Sequence, residues 1–179
     1  MNFLEVKIYP DPCLRVKTRP VEEFDSDLRE ILSAMSKLMY KSQGIGLAAT
    51  QAGVGIKAFI MDVGEGLCVF VNPEIVEISG KKTRLEEGCL SLPGITAGIV
   101  RPEKVKVRAF DENGKMFTRI YQDLAAKAVQ HEMDHLNGKL IIDRINPFKR
   151  FLAVRELSLR KQDPSHRDCE VACSVRNRN

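Results

Sequence analysis

The sequence predicts an α+β domain in which short, mostly antiparallel strands pack around a central helix, with a further helix near the C-terminus. Three observations indicate this class. Several apolar segments are only roughly four to eight residues long and lack a helical period. Two other segments, within residues 25–43 and 123–137, carry apolar residues at helical spacing. The turn sequence DENG, residues 111–114, separates two alternating segments, which is typical of a hairpin.

The first helix is predicted within residues 25–43. Asp25 or Ser26 can cap its N-terminus through a side-chain oxygen, and Gly44 can end it. Its apolar residues recur three and four positions apart, so they share a face that we expect to be buried. These residues are Leu28, Ile31, Leu32, Met35, Leu38 and Met39.

Strands are predicted in the middle of the chain. Residues 56–63 and 67–71 form apolar segments with little helical period, which favours buried strands. Residues 74–79 form a further strand, which should end at Gly80.

Two alternating strands flank the DENG turn. Val105, Val107 and Ala109 share one face of residues 105–110, and residues 115–121 alternate in the same way. We therefore expect an antiparallel hairpin with one buried face.

Helices are predicted again toward the C-terminus. The central helix should run from about Asp123 to Asn137 and be closed by Gly138. The segment LIIDRI, residues 140–145, is predicted to be a short strand or extended piece. A proline at the first position favours a last helix over residues 147–161.

Length and composition indicate one folded domain. We predict that residues 1–161 form it, and that residues 162–179, which show no periodic pattern, form a mobile tail. The five cysteines fit free thiols better than a disulfide framework. No apolar run reaches the ~18 residues of a membrane span, and no signal-peptide pattern is visible, so we expect a cytoplasmic protein without a membrane partner.

The stretch QHEMDHLNG, residues 130–138, carries the strongest chemical signal. His131 and His135 are four residues apart, so a helix places them on one face, one turn apart. Such a pair can hold one divalent cation, and Glu132 can then reach a water molecule near that ion. The alternative is an ordinary polar patch on a helix, because two histidines four apart also arise by chance.

A third ligand must come from another part of the chain. Cys89, in EEGCLSLPG, is one candidate because the adjacent Gly88 permits close backbone approach. The alternative is a small buried thiol, which is the commonest state of a free cysteine and the one we assign to Cys13 and Cys68. A distant glutamate could also complete the set.

The segment GIGLAATQAG, residues 44–53, is a further motif. Its glycine spacing does not fit a phosphate-binding loop. Gly44 and Gly46 fit an extended backbone that another group approaches closely, and Gln51 supplies an amide donor. A helix C-cap followed by a loop would explain the glycines equally well.

Three motifs in this order, GIGLAATQ, EGCLS and QHEMDH, resemble those of the peptide deformylase family. The similarity extends from YPDPCLR near the start to LIIDRINP. Thr50 stands where the family usually has proline, which removes a fixed φ but no chemical group.

The resemblance implies a role for each matching residue. Cys89, His131 and His135 would bind one metal ion, and Glu132 would be the acid–base residue. The Gln51 side chain and the Leu90 backbone N–H would bind the oxyanion.

The resemblance also implies a substrate and a metal. The family removes the formyl group from formyl-methionine of nascent polypeptides, often with ferrous iron; Zn²⁺, Ni²⁺ and Co²⁺ also suit such a ligand set. Residues expected to contact the substrate are Ile45, Gly46, Glu87, Gly88, Leu124 and Ala128. Lys127 should lie near the pocket mouth.

Two rival functions remain open on the residues alone. A metallopeptidase would use a carboxylate or histidine as third ligand and leave Cys89 without a role. A structural metal site on a ribosome- or RNA-binding protein would need a fourth protein ligand and would tolerate loss of Glu132.

The segment 147–161 has a net charge of +4, equal to that of the whole chain. We expect Phe148, Phe151, Leu152 and Leu159 to dock on the domain. Arg150 and Lys161 would face outward, with Lys149 and Arg160 near the edges of that face. The helix would bind the ribosome through phosphates, since some deformylases use a C-terminal helix in this way. No DNA partner is expected.

Overall fold

The computed structural model describes residues 4–162. The predicted mobile tail, apart from Gln162 at its start, lies outside these residues. Three helices are present in this range: α1 (Ser26–Lys41), α2 (Asp123–Leu136) and α3 (Pro147–Gln162). Short 3-10 turns occur at Pro12–Arg15, Ala49–Ala52 and Ile141–Asp143.

Five strands form one antiparallel sheet in which each strand pairs with the next along the chain. They are β1 (Gly46–Ala48), β2 (Ala58–Met61), β3 (Cys68–Gly88), β4 (Thr96–Phe110) and β5 (Met116–Gln122). The α+β class predicted from the sequence is therefore confirmed.

Local signals in the sequence explain several of these elements. The Asp25 side chain accepts a hydrogen bond from the Leu28 N–H at 2.9 Å, which caps α1. At the DENG turn, Asp111 Oδ1 accepts from the N–H groups of Asn113 and Lys115, both at 2.9 Å. Gly138 has a φ of +69°, as expected of a glycine that follows a helix.

The β3–β4 hairpin is longer than predicted. β3 does not end at Gly80; this residue adopts a φ of +80°, and the pairing with β4 shifts register between Ser79 and Lys82. Such a bulge bends a strand without ending its pairing. β4 begins at Thr96 instead of residue 105, so the loop that carries Cys89 closes this hairpin.

The segment LIIDRI is not a strand. Ile141–Asp143 form a 3-10 turn, and the Leu140 N–H donates to the Asp143 carboxylate at 2.8 Å. That side-chain bond closes the turn and replaces the sheet pairing that an extended segment would need. Leu140, Ile141 and Ile142 are all buried, which accounts for the apolar run.

The face of α3 that packs on the domain is also not the predicted one. Ala153 and Leu157 are buried against the apolar cluster that includes Ile141. The small Ala153 side chain lets the helix approach this surface closely, whereas the four residues predicted to dock are left exposed. The outward-facing residues are 44–70% exposed: Phe148, Phe151, Leu152 and Leu159.

Helix α2 packs across the sheet and is thereby held rigidly. Ala126, Val129 and Leu136 of α2 share an apolar cluster with the stacked rings of Phe59 and Phe70. Val105, Val107 and Ala109 are fully buried in the same cluster, as predicted.

Within residues 4–162, no helix combines the length and apolar character needed to cross a bilayer.

Candidate active site

Three ligand-type atoms converge at the inner face of α2. His135 Nε2 lies 3.2 Å from Cys89 Sγ and 3.2 Å from His131 Nε2, and all three atoms lie within 4.8 Å of one another. The histidines come from adjacent turns of α2, and Cys89 follows the end of β3. The helix and the hairpin therefore bring together the residues that the sequence proposed as ligands.

This set fits a divalent metal ion. Ligands of a tetrahedral ion at roughly 2.0–2.3 Å stand about 3.3–3.6 Å apart, which is close to the separations observed here. One thiol and two imidazoles suit zinc and iron alike. Glu132 Oε2 is buried and has no hydrogen-bond partner within residues 4–162. A water molecule beside a bound ion would supply that hydrogen bond.

Glu87 orients one of the histidines. Its Oε2 lies 3.0 Å from His131 Nδ1, so the ring donates from Nδ1 and leaves the Nε2 lone pair toward Cys89 and His135. Burial opposes ionisation of Glu87, but hydrogen bonds from His131 and Arg101 outweigh it and lower the pKa of Glu87 to about 2. The ring orientation therefore depends on a carboxylate that stays ionised.

Arg101 and Asp134 extend this contact through the interior. Arg101 donates to both Glu87 oxygens, at 2.6 and 3.0 Å, and to Asp134 Oδ2 at 2.9 Å. Asp134 also accepts from Arg144. Sequence reasoning missed Arg101, Asp134 and Arg144. A strand arginine is ordinarily expected to be exposed, and the partners of Arg101 are distant from it in the chain.

Glu132 lies buried beside β1. A Cβ atom at Gly46 would lie 2.4 Å from Glu132 Oε1, so only glycine leaves room for the carboxylate. The group that approaches this glycine-rich backbone is thus Glu132. Burial raises the pKa of the Glu132 carboxyl to about 7, which suits a group that accepts and returns protons near neutral pH.

The Gln51 amide is held in a defined orientation. Its Oε1 accepts from the Ala48 N–H at 2.9 Å, and its Nε2 donates to Ser91 Oγ at 3.2 Å and lies 3.5 Å from Cys89 Sγ. The amide nitrogen therefore faces the cysteine side of the site. Ser91 was not singled out from the sequence.

A cavity opens beside these groups, between the loop before β1, the end of β3 and helix α2. All six residues predicted to contact the substrate line it: Ile45, Gly46, Glu87, Gly88, Leu124 and Ala128. Gln51, Cys89, Leu90, His131 and Glu132 line it as well, with Lys127, Gly44, Leu85 and Glu86. Both Glu87 oxygens already accept hydrogen bonds from Arg101 and His131. This carboxylate therefore contributes to the cavity wall mainly as a structural support.

Thr50 is accommodated without disturbing the site. It is buried in the 3-10 turn Ala49–Ala52, and its hydroxyl lies 3.5 Å from the His135 carbonyl oxygen. Its own carbonyl oxygen is 3.4 Å from Cys13 Sγ. The threonine therefore adds one side-chain contact, from its hydroxyl to the His135 carbonyl, in place of a fixed φ.

Comparison with known proteins identifies the family. The sequence model of the family described as polypeptide deformylase matches residues 3–151. A peptide deformylase of Thermotoga petrophila is 43% identical over 152 residues, 85% of this chain and 93% of the relative. One of Clostridium botulinum is 46% identical over 144 residues, 80% and 97% of the two chains.

Solved structures give the same result. A peptide deformylase of Ehrlichia chaffeensis in complex with actinonin superposes with a TM-score of 0.87 at 35% identity, covering 91% of this chain and all of that one. The Thermotoga maritima enzyme gives 0.79 at 41% identity, covering 82% of this chain and 100% of that one. With fold and sequence in agreement over most of its length, the chain belongs to the polypeptide deformylase family.

Proposed function

We propose that this chain is a metal-dependent hydrolase that removes the N-terminal formyl group from formyl-methionine of nascent polypeptides. The main support for this proposal is the convergence of Cys89, His131 and His135 at the wall of a cavity. Beside them lies a buried Glu132 oxygen that has no hydrogen-bond partner among the described residues. The family membership points to the same reaction.

In the proposed site, Cys89, His131 and His135 hold one divalent ion, which when bound would polarise the formyl carbonyl and lower the pKa of a water. Ferrous iron is our proposal for the native ion, because the family often uses it. Zn²⁺, Ni²⁺ and Co²⁺ would fit the same thiol–imidazole set.

Glu132 moves the proton in this reaction. Its carboxylate takes a proton from the attacking water and returns it to the departing amine nitrogen. Water addition makes the formyl carbon tetrahedral, and the C–N bond then breaks to give formate and a free N-terminal amine. General acid–base catalysis of this kind contributes typically about 10²–10⁴-fold.

Two donors in the cavity stabilise the developing negative charge. The Gln51 Nε2 group, fixed by the Ala48 N–H at the other end of the amide, is one donor. The Leu90 backbone N–H, in the loop after Cys89, is proposed as the other. A single donor of this type is worth roughly 2.7–4 kcal/mol of transition-state stabilisation.

The cavity wall selects the substrate. Ile45, Leu124 and Ala128 supply apolar surface for a methionine side chain, and Gly46 and Gly88 permit close approach of its backbone. Besides its oxygen and nitrogen, the formyl carbon carries only a hydrogen atom. A site narrow enough to fit this group excludes larger acyl groups. Lys127 lines the cavity as well and could contact the peptide.

The test is hydrolysis of a formyl-Met peptide with and without a chelator. The proposal requires formate release that stops on metal removal and returns when metal is added. An acetyl-Met peptide is the matched substrate control and should not react. Cleavage of an internal peptide bond would instead indicate a metallopeptidase, and metal binding without hydrolysis would indicate a structural site.

We further propose that residues 1–161 act as one catalytic domain whose helix α3 binds the ribosome in the cytoplasm. The outward face of α3 supports this, since Arg155 lies between the exposed Phe151, Leu152 and Leu159. A basic and apolar face of this kind can contact ribosomal phosphates and protein together.

A further inference from the structure

Asp134 lies between two guanidinium groups. Arg101 Nη1 donates to Asp134 Oδ2 at 2.9 Å, and Arg144 Nε donates to the same oxygen at 2.9 Å. Arg144 Nη2 donates to the other oxygen, Oδ1, so its contact is forked. Arg101 is 3% exposed, whereas the Arg144 side chain keeps 42% of its surface in solvent.

Arg101 must hold two carboxylates. It makes a second forked contact, to both oxygens of Glu87, and Glu87 Oε2 binds His131 Nδ1 at 3.0 Å. One buried cation cannot neutralise two buried anions, and an unneutralised buried charge is costly. Arg144 supplies the second positive charge, which balances the charges of Arg101, Glu87 and Asp134.

We propose that Arg144 is a positioning residue for the metal site. By neutralising Asp134, it leaves Arg101 free to hold Glu87 in the forked geometry that fixes the His131 ring. His131 Nε2 then stays directed toward Cys89 and His135. This inference rests on the proposed function of that site as a metal centre.

Chelator competition with Co²⁺ measures the effect. Loss of a side chain that directly contacts a metal ligand typically weakens metal binding about 10–100-fold. Arg144→Met acts on His131 through three intervening residues, so it should weaken binding less, about 3–10-fold. Arg108→Met is the matched control, because Arg108 is similarly exposed and also pairs with one carboxylate, Glu74. Its Co²⁺ affinity should stay within twofold of the parent.

Three further readouts separate positioning from a general loss of stability. Arg144→Lys keeps the charge without the fork and should restore part of the affinity. In a Glu87→Gln background, Arg144→Met should have little further effect, since the forked carboxylate contact from Arg101 to residue 87 is already lost. The Co²⁺ absorption bands should shift in Arg144→Met and not in Arg108→Met.

The outcomes distinguish the two proposals. If the parent binds one Co²⁺ and the Co²⁺ affinity of Arg144→Met is within twofold of the parent's, the positioning role is refuted while the metal centre stands. An equal loss in the Glu87→Gln background also refutes it. If the parent binds no Co²⁺, the metal centre and the positioning role fall together.

Discussion

Glu132 has one oxygen without a hydrogen-bond partner in residues 4–162 and another against the backbone at Gly46. We predict that Glu132→Gln retains one metal ion per chain and loses about 10²–10⁴-fold in deformylation rate, because the amide keeps the shape but cannot accept the proton. Metal analysis and formate release on the same sample check this. Loss of metal together with activity would make Glu132 a ligand or a structural support instead.

Cys89 and Cys68 provide a matched pair of thiols. Cys89→Ala removes one of three converging ligand atoms and should lower metal occupancy sharply. Cys68, half-buried at the start of β3, lies outside the cluster, so Cys68→Ala should retain full occupancy. Elemental analysis of both purified variants decides the point, and equal occupancy would exclude Cys89 as a ligand.

The sequence predicted the residues that carry chemistry better than those that support them. His131 and His135 are recognisable because four-residue spacing on a helix places them together whatever the tertiary fold. Arg101 is not, because its role depends on Glu87 and Asp134, which only the folded hairpin and helix bring within 3 Å of it. Nothing local distinguishes it from an exposed strand arginine.

Helix α3 shows the limit of periodicity at the scale of the element. The large apolar residues from Phe148 to Leu152, together with Leu159, form one exposed stripe, and another stripe, containing Ala153 and Leu157, packs on the domain. Spacing identifies which residues share a face but not which face is covered. A small residue such as Ala153 can mark the contact side, since close approach buries neighbouring groups as well.

The two stripes of α3 should differ in stability measurements. Leu157→Ala should lower the free energy of unfolding by roughly 2–5 kcal/mol, at the low end of that range because α3 packs at one edge of the domain. Leu159→Ala, at a 59% exposed side chain, should change it by less than about 0.5 kcal/mol. Urea unfolding of both variants is the measurement. The reverse order would mean that the stripes are assigned the wrong way round.

The outward face of α3 makes the ribosome proposal testable. Reversing Lys149 and Arg155 to Glu should reduce salt-sensitive co-sedimentation with ribosomes and leave hydrolysis of a short formyl-Met peptide intact. Arg150 and Arg160 are unsuitable targets, since they pair with Asp143 and Glu156. The control reverses two exposed lysines of β3, Lys81 and Lys82. Unchanged pelleting of the α3 variant at low salt would end the proposal.

At the scale of the whole molecule, the class and order of elements were predictable, and the long β3–β4 hairpin was not. Gly80 was predicted to end a strand because glycine is disfavoured in strand interiors. A bulge nevertheless lets the strand pairing continue past it. The distinction depends on the partner strand, which local sequence does not reveal. That continuation matters, because it carries Cys89 to the face of α2.

One arrangement of the fold thus serves the site: a hairpin end and a helix face meet, each contributes ligands, and the hairpin orients one ligand of the helix. Cys89 comes from the hairpin, His131 and His135 come from the helix, and Glu87 at the hairpin end fixes His131. This arrangement therefore requires a single catalytic ion per chain.

Titration of metal-free protein with Fe²⁺ under exclusion of oxygen tests this requirement most directly, with formate release from a formyl-Met peptide as the signal. We predict that the rate is negligible without metal, rises in proportion to added Fe²⁺ and levels off at one equivalent per chain. Full activity in the metal-free protein, a plateau at two equivalents, or no formate at any metal level would contradict it.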